Sequence, residues 1–281
     1  MSKQYIEGNF INDGFVIIRK AIDTKVIEEF QNIIVNELDK KKKIKKKKIY
    51  DQFCESLNKS LKTKSTFDIQ RPIYQRLVYE QLIQKYLKQK SIYNKVSDIL
   101  GKDLAFAVDA VLSINLPNRT SPEKNYLFKE YHQEIWSGVD IHTLQTWTPI
   151  FQNSTKGQIK VIKSSHEWGH IPHRNRKPST ELPKNHEEVE IELELGDVTI
   201  FHSLLLHASI PLGKNDKPRL SVVCPVKNFL KKNEAFSNLN SWKIFSYSDL
   251  SIIDRKLGNH YLSPFRLTDV ASHGYTKEID E

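Results

Sequence analysis

His132 and Glu134 stand two positions apart in the run Tyr131-His132-Gln133-Glu134. On a strand, residues i and i+2 project to the same face, so an imidazole nitrogen and a carboxylate oxygen would meet there. That pair is two thirds of a 2-His-1-carboxylate facial triad, a donor set that suits non-haem iron and leaves positions open for substrates and dioxygen. A His-x-Glu tripeptide also arises by chance as an exposed polar strand end, so it needs a third partner. His207 is the candidate. It sits in Leu204-Leu205-Leu206-His207-Ala208-Ser209, an apolar setting in which an imidazole must find a partner or bear the cost of desolvation. Twelve residues later Arg219 enters the apolar segment Leu220–Val226. A guanidinium stays charged, so Arg219 needs an anion. That anion is either an internal Asp or Glu, or a ligand carboxylate gripped by two parallel N–H bonds.

These groups must be positioned by β structure. From about Leu104 the chain reads as short apolar runs separated by turn residues: Leu104–Asn115, Ile141–Phe151, Gly157–Lys163, Val189–Glu194, Asp197–His202 and Arg219–Val226. Val189, Ile191, Leu193 and Leu195 alternate with Glu190, Glu192 and Glu194, the pattern of a half-buried strand. Many short strands with turn signals indicate a sandwich or barrel. The first hundred residues read as mostly helical, with one strand at Phe15–Arg19 after the turn Asp13-Gly14. Helical spacing is expected over Lys25–Lys42, with Asp23 as a candidate N-cap, and again over Tyr74–Leu87, Ile92–Leu100 and Leu250–Leu257. The lysine run is expected at the C-terminal end of the first of these helices, where cations suit the helix dipole. Beyond the last of them, Pro264 interrupts regular structure.

Composition narrows the class. The chain has 281 residues, 38% of them apolar and 27% charged, which is polar but globular. It is long enough to bury a sizeable core. No uncharged apolar run of about 18 residues occurs, so no transmembrane helix is expected. The first residues contain no apolar stretch of the secretory kind. Cys54 and Cys224 form no CxxC, which excludes an all-cysteine zinc site and a disulfide framework. A cytoplasmic location is the expectation. The formal charge is +9, and removing the eight lysines of Lys40–Lys43 and Lys45–Lys48 brings it to +1. The basicity thus belongs to one segment, read as a solvated loop or helix end, and this argues against a nucleic-acid partner, which would spread basic residues over a face.

With these residues in view, the sequence resembles the phytanoyl-CoA dioxygenase-like branch of the Fe(II)/2-oxoglutarate oxygenases. The resemblance runs from Phe10 to Val226 through an ordered set of elements: Gly14-Phe15-Val16-Ile17-Ile18-Arg19, Tyr131-His132-Gln133-Glu134, Thr146-Trp147-Thr148-Pro149, the segment from Gly157 to His166, Gly196-Asp197-Val198-Thr199-Ile200-Phe201-His202, and His207, Ser209 and Arg219. It implies a mainly β fold, a double-stranded β-helix (a cupin-like jelly roll) with flanking N-terminal helices. It implies one domain over residues 1–281: a helical part to about 100, a jelly-roll core over about 101–230, and a C-terminal extension over about 231–281.

It further implies that His132, Glu134 and His207 hold Fe(II), that Arg219 and Ser209 bind the distal carboxylate of 2-oxoglutarate, and that Trp147 lines that pocket. The activity implied is hydroxylation of a small molecule with dioxygen as cosubstrate and conversion of 2-oxoglutarate to succinate. The family usually has Asp where this chain has Glu134, and its halogenating members have a small residue there, so Glu134 favours hydroxylation. His166 is expected to be a structural hydrogen-bonder and His202 an inner or rim residue. His170 and His173 lie in the loop Trp168–Lys184, which could cover the site. Two other readings predict different behaviour: a jelly-roll binding protein without catalysis, and a nucleic-acid-directed oxygenase. The sequence carries no signal for oligomeric state.

Overall fold

A computed structural model of the chain describes residues 5–40, 44–110, 112–118, 130–154, 158–175, 177–231 and 242–256. Lys41–Lys43, Gly157, Pro264 and most of the expected C-terminal extension lie outside the described residues.

In chain order the strands are β1 (Ile6–Glu7), β2 (Phe15–Ile18), β3 (Leu104–Ala107), β4 (Ser113–Asn115), β5 (Thr143–Phe151), β6 (Ile159–Ile162), β7 (His173–Arg174), β8 (Lys177–Pro178), β9 (Glu188–Ile191), β10 (Val198–His202), β11 (His207–Ser209), β12 (Arg219–Asn228) and β13 (Trp242–Ser246). The helices are α1 (Phe10–Asp13), α2 (Thr24–Leu38), α3 (Ile49–Leu61), α4 (Thr66–Tyr79), α5 (Leu82–Leu87), α6 (Lys90–Leu100) and α7 (Asp249–Lys256). The large sheet runs β1-β2-β10-β5-β12-β3-β13, with β4 also on β12; a small sheet runs β11-β6-β9, and β7 pairs β8. This is the antiparallel jelly roll with flanking helices that the sequence implies.

Strand alternation sorts the two faces of the large sheet. On β12, Leu220, Val222, Cys224 and Val226 turn outward and join Val16, Ile18 and Ile200 beneath the helices. Val223 turns inward and packs with Phe15, Ile17, Trp147 and Phe201 against Ile159, Val161 and Ile191 of the small sheet. Arg219, Ser221 and Lys227 share that inward face. Near its end β5 carries an extra residue: Leu220 and Ser221 face Phe151 and Pro149. Ile150 and Phe151 therefore both turn to the helices, the usual effect of a bulge.

The helical layer departs from expectation in three places. The helix after Asp23 stops at Leu38, and no basic residue occupies its last turn. The described lysines of the run lie beyond it, Lys46–Lys48 forming a short 3-10 turn ahead of α3. Lys46 pairs there with Glu28 at 2.8 Å. The single helix expected over Tyr74–Leu87 is two, because Gln81 adopts φ 58°. The first of them starts earlier, at a capping box in which Ser65 and Asp68 each accept the other's backbone N–H. Helix α3 is hidden in the sequence by its position beside the lysine run. It buries Phe53 and Leu57, and Phe53 stacks on Phe151 with ring centroids 4.1 Å apart.

Gly14 is required where the N-terminal segment meets the jelly roll. Its φ is +81°, and a Cβ there would lie 2.6 Å from His166 Nδ1 and 2.7 Å from Leu205. His166 in turn donates from Nε2 to the Ile11 carbonyl at 2.8 Å, the structural role expected for it.

Candidate active site

His207 opens β11, which lies along β6 with His207 opposite Val161 and Ser209 opposite Ile159. His132 pairs with it from the other side: His132 N–H donates to His207 O at 3.0 Å and His207 N–H to His132 O at 3.1 Å. Glu134 N–H donates to Ser203 O at 3.0 Å. The expectation of a His-x-Glu strand needs correction. His132 makes an isolated bridge rather than a strand, and Glu134 begins a 3-10 turn, Glu134–Ser137. The two side chains converge all the same, because both backbones are tied to the strand end around Ser203–His207.

One ligand atom from each of His132, Glu134 and His207 lies within 4.8 Å of the others, and all three residues are buried. Glu134 Oε1 is 3.4 Å from His132 Nε2 and 3.3 Å from His207 Nε2. Two donors at right angles around one ion, each about 2.1 Å from it, would be about 3.0 Å apart, so the spacing fits neighbouring positions on a single metal. The tautomers agree. His132 Nδ1 lies 2.7 Å from the Glu130 carbonyl and His207 Nδ1 lies 2.9 Å from the Leu205 carbonyl. A carbonyl only accepts, so each ring donates its Nδ1 proton there, and in the neutral form that a metal requires it turns the Nε2 lone pair inward. Two lone pairs and a carboxylate oxygen then face one another, an arrangement that a cation reconciles. The donor set therefore fits a divalent metal of the iron type.

The cavity beside these groups is lined by Trp147, Phe201, Gln158, Ile159, Ser209 and Val223, among others. Trp147 and Ser209 thus stand with the triad. Phe201 packs against the His207 ring at 4.7 Å. Arg219 is 2% exposed. It lines a neighbouring cavity with Gln152, Asp216 and Leu212. Its Nη2 donates to the Gln158 carbonyl at 2.9 Å, and Gln158 also lines the cavity of the triad.

Gln133, Phe201, Ser113 and Ser221 were given no role in the sequence. Gln133, fully buried between the two ligand residues, donates to the Gly169 and Leu204 carbonyls at 2.9 and 2.7 Å and accepts from Ile171 N–H at 3.0 Å. It fastens the start of the Trp168–Lys184 loop beside the metal motif. On that loop His173 is exposed and stacks on Trp136 at 4.8 Å. Ser113 and Ser221 face each other across β4 and β12 on the inward face. Alternation along each strand would have flagged Phe201 and Ser221 once the inward face was known. His202 is a half-buried rim residue that accepts Leu204 N–H on Nδ1 at 3.0 Å. Burial, then the neighbouring His166 and His142, lower its pKa to about 4.

Comparison with known proteins agrees with this geometry. The sequence model of the family described as Phytanoyl-CoA dioxygenase (PhyH) matches residues 10–219. No curated protein matches the sequence. Among solved structures, the apo form of the non-heme monooxygenase ThoJ superposes with a TM-score of 0.57 at 15% identity, covering 85% of this chain and 83% of that one. The nickel complex of ThoJ gives 0.53 at 16% identity, with coverages of 85% and 83%. At such identity the likeness speaks for the fold.

Proposed function

Because this chain belongs to the phytanoyl-CoA dioxygenase family, we propose that it is an Fe(II)- and 2-oxoglutarate-dependent dioxygenase that hydroxylates a small molecule. The observation that carries this reading is the convergence of His132, Glu134 and His207 inside the jelly roll, each ring with its Nδ1 proton committed to a backbone carbonyl. Iron and 2-oxoglutarate, when bound with dioxygen, supply the oxidising power by decarboxylation to succinate.

The chain's own residues prepare that chemistry. His132, Glu134 and His207 hold the metal and leave its remaining positions to ligands. Arg219 takes the distal carboxylate of 2-oxoglutarate, aided by the Ser209 hydroxyl. Trp147, Phe201 and Val223 make an apolar wall that keeps bulk water from the reacting centre. Glu134 keeps a carboxylate on the metal, which suits hydroxylation. The helical layer, sheet and site act together as one domain. No helix among the described residues is long and apolar enough to cross a membrane. Cys54 and Cys224 are both free thiols, which suits the cytoplasm.

The test is anaerobic loading with Fe(II), binding of 2-oxoglutarate by calorimetry, then admission of oxygen with succinate measured. Metal-dependent binding and succinate release support the reading. A protein that binds iron but neither binds nor consumes 2-oxoglutarate would be a binding module instead.

A further inference from the structure

The inward face of the large sheet carries polar groups that the metal and cosubstrate roles do not use. Gln145 of β5 is fully buried, and neither its Oε1 nor its Nε2 has a hydrogen-bond partner among the described residues. Burying an unsatisfied polar group is costly, so a carboxamide kept there points to a ligand that meets it. Gln145 is registered between Phe201 and Pro225. Phe201 is the ring packed on His207, so Gln145 stands one strand, about 4.8 Å, from the wall of the triad.

Lys227 follows Pro225 by two positions and therefore shares the face of Gln145, diagonally about 7–8 Å away. It is 3% exposed, and its Nζ lies 4.3 Å above the Trp242 ring. Burial lowers its pKa to about 8, with Asp140 opposing, and it remains largely an ammonium at neutral pH. Along the inward row of β12, Val223 of the triad cavity lies midway between Arg219 and Lys227. At roughly 3.3 Å per residue the backbone position of each is about 13 Å from that of Val223, in opposite directions. The Arg219 side is the one assigned above to 2-oxoglutarate, which leaves the other for the molecule to be oxidised.

The geometry points to Gln145 and Lys227 as the recognition subsite for that molecule, and to a substrate bearing an oxyanion, a carboxylate or phosphate ester. Lys227 bonds the oxyanion, and Gln145 Nε2 donates to an acceptor atom nearer the metal. The Trp242 ring offers an apolar surface beside the ammonium. This inference rests on the oxygenase reading.

Its test uses the Fe(II)- and 2-oxoglutarate-loaded protein under nitrogen, titrated calorimetrically with aliphatic and aromatic carboxylates, phosphate monoesters, and the matching amides and alcohols. Anionic members are expected to bind and, in air, to raise succinate release. Lys227→Met should weaken the anion affinity roughly 10- to 150-fold, the loss of one hydrogen bond to a charged group. Lys227→Arg should restore most of it, and Gln145→Glu should weaken it by repulsion. The 2-oxoglutarate affinity of these variants should stay within about twofold. Carboxylates preferring phosphates, or the reverse, identifies the oxyanion. Binding of amides and alcohols as tight as that of anions, no binding by any compound, or an equal loss of 2-oxoglutarate affinity in Lys227→Met overturns the subsite. Absence of 2-oxoglutarate binding in the wild type refutes the oxygenase reading on which it rests.

Discussion

Arg219→Lys is the sharpest test of the cosubstrate assignment, since it keeps the charge and removes the fork. Arg219 is 2% exposed and is held in β12 between β5 and β4. One of its five N–H donors goes to the Gln158 carbonyl at 2.9 Å. The guanidinium can offer two parallel bonds to a carboxylate, whereas an ammonium acts as a point charge. Losing one hydrogen bond to a charged group costs about 1.5–3 kcal/mol, which is roughly a 10- to 150-fold weaker 2-oxoglutarate Kd. Calorimetry on the anaerobic Fe(II)-loaded protein reads it directly, and the KM for 2-oxoglutarate should rise with it. A second effect arises because Gln158 loses its buried donor. Stability should fall by about 1–3 kcal/mol, a drop in Tm of roughly 2–10 °C, which thermal denaturation separates from the binding loss. A folded variant with unchanged 2-oxoglutarate affinity would refute the reasoning and leave Arg219 as a strut for Gln158.

Saturating the site with Mn(II), as a stand-in for Fe(II), at a hundred times its Kd should add about 2.7 kcal/mol of stability. The wild type should then melt roughly 5–10 °C higher, and His207→Ala should show neither that shift nor succinate release; a full shift in the variant would remove His207 from the ligand set. Gly14→Ala should cost about 2–4 kcal/mol in urea unfolding, combining a strained positive φ with a Cβ 2.6 Å from His166 Nδ1; a neutral result would mean that His166 moves freely. Gln133→Leu strips the loop of two hydrogen bonds, at Gly169 and Ile171, and should make Trp168–Lys184 exchange amide protons faster and lower kcat, which deuterium exchange and turnover would check. His202 has a folded pKa lowered to about 4, so its neutral form is favoured in the native state. Its contribution is full above about pH 6.5, the unfolded value, and is lost as pH falls toward 4. His202→Phe should flatten the stability profile in that window; an unchanged profile would contradict the cause.

The site was more legible in the sequence than the helical layer. A metal ligand set depends on residue types that have few other reasons to recur in order, and His132, Glu134 and His207 stand in such an order. The apolar run Arg219–Val226 was equally plain as a strand, whereas the alternation over Val189–Leu195 reads too far: the strand ends at Ile191 and Leu195 is exposed. Helix ends were less legible. The break at Gln81 depends on one residue adopting a left-handed conformation, for which Gln has no special preference. Helix α3 is amphipathic, but Tyr50, Phe53 and Leu57 come directly after a lysine run that reads as solvated loop. The local form of the metal motif departs from expectation for a different reason. Whether His132 lies in a strand is decided by a partner, His207, 75 positions away in the sequence, and tertiary pairing overrides local propensity.

That long-range pairing bears on how the site works. The three candidate ligands are gathered by backbone hydrogen bonds: His132 to His207 in both directions and Glu134 to Ser203. Those bonds do not involve the ligand atoms. In a site where metal binding and folding are one event, removing a ligand unfolds the protein. Here backbone bonds of the jelly roll hold the three residues, and the carbonyls of Glu130 and Leu205 orient both rings. Substituting His132, Glu134 or His207 is therefore expected to remove metal binding while the fold stands, which circular dichroism of each variant checks.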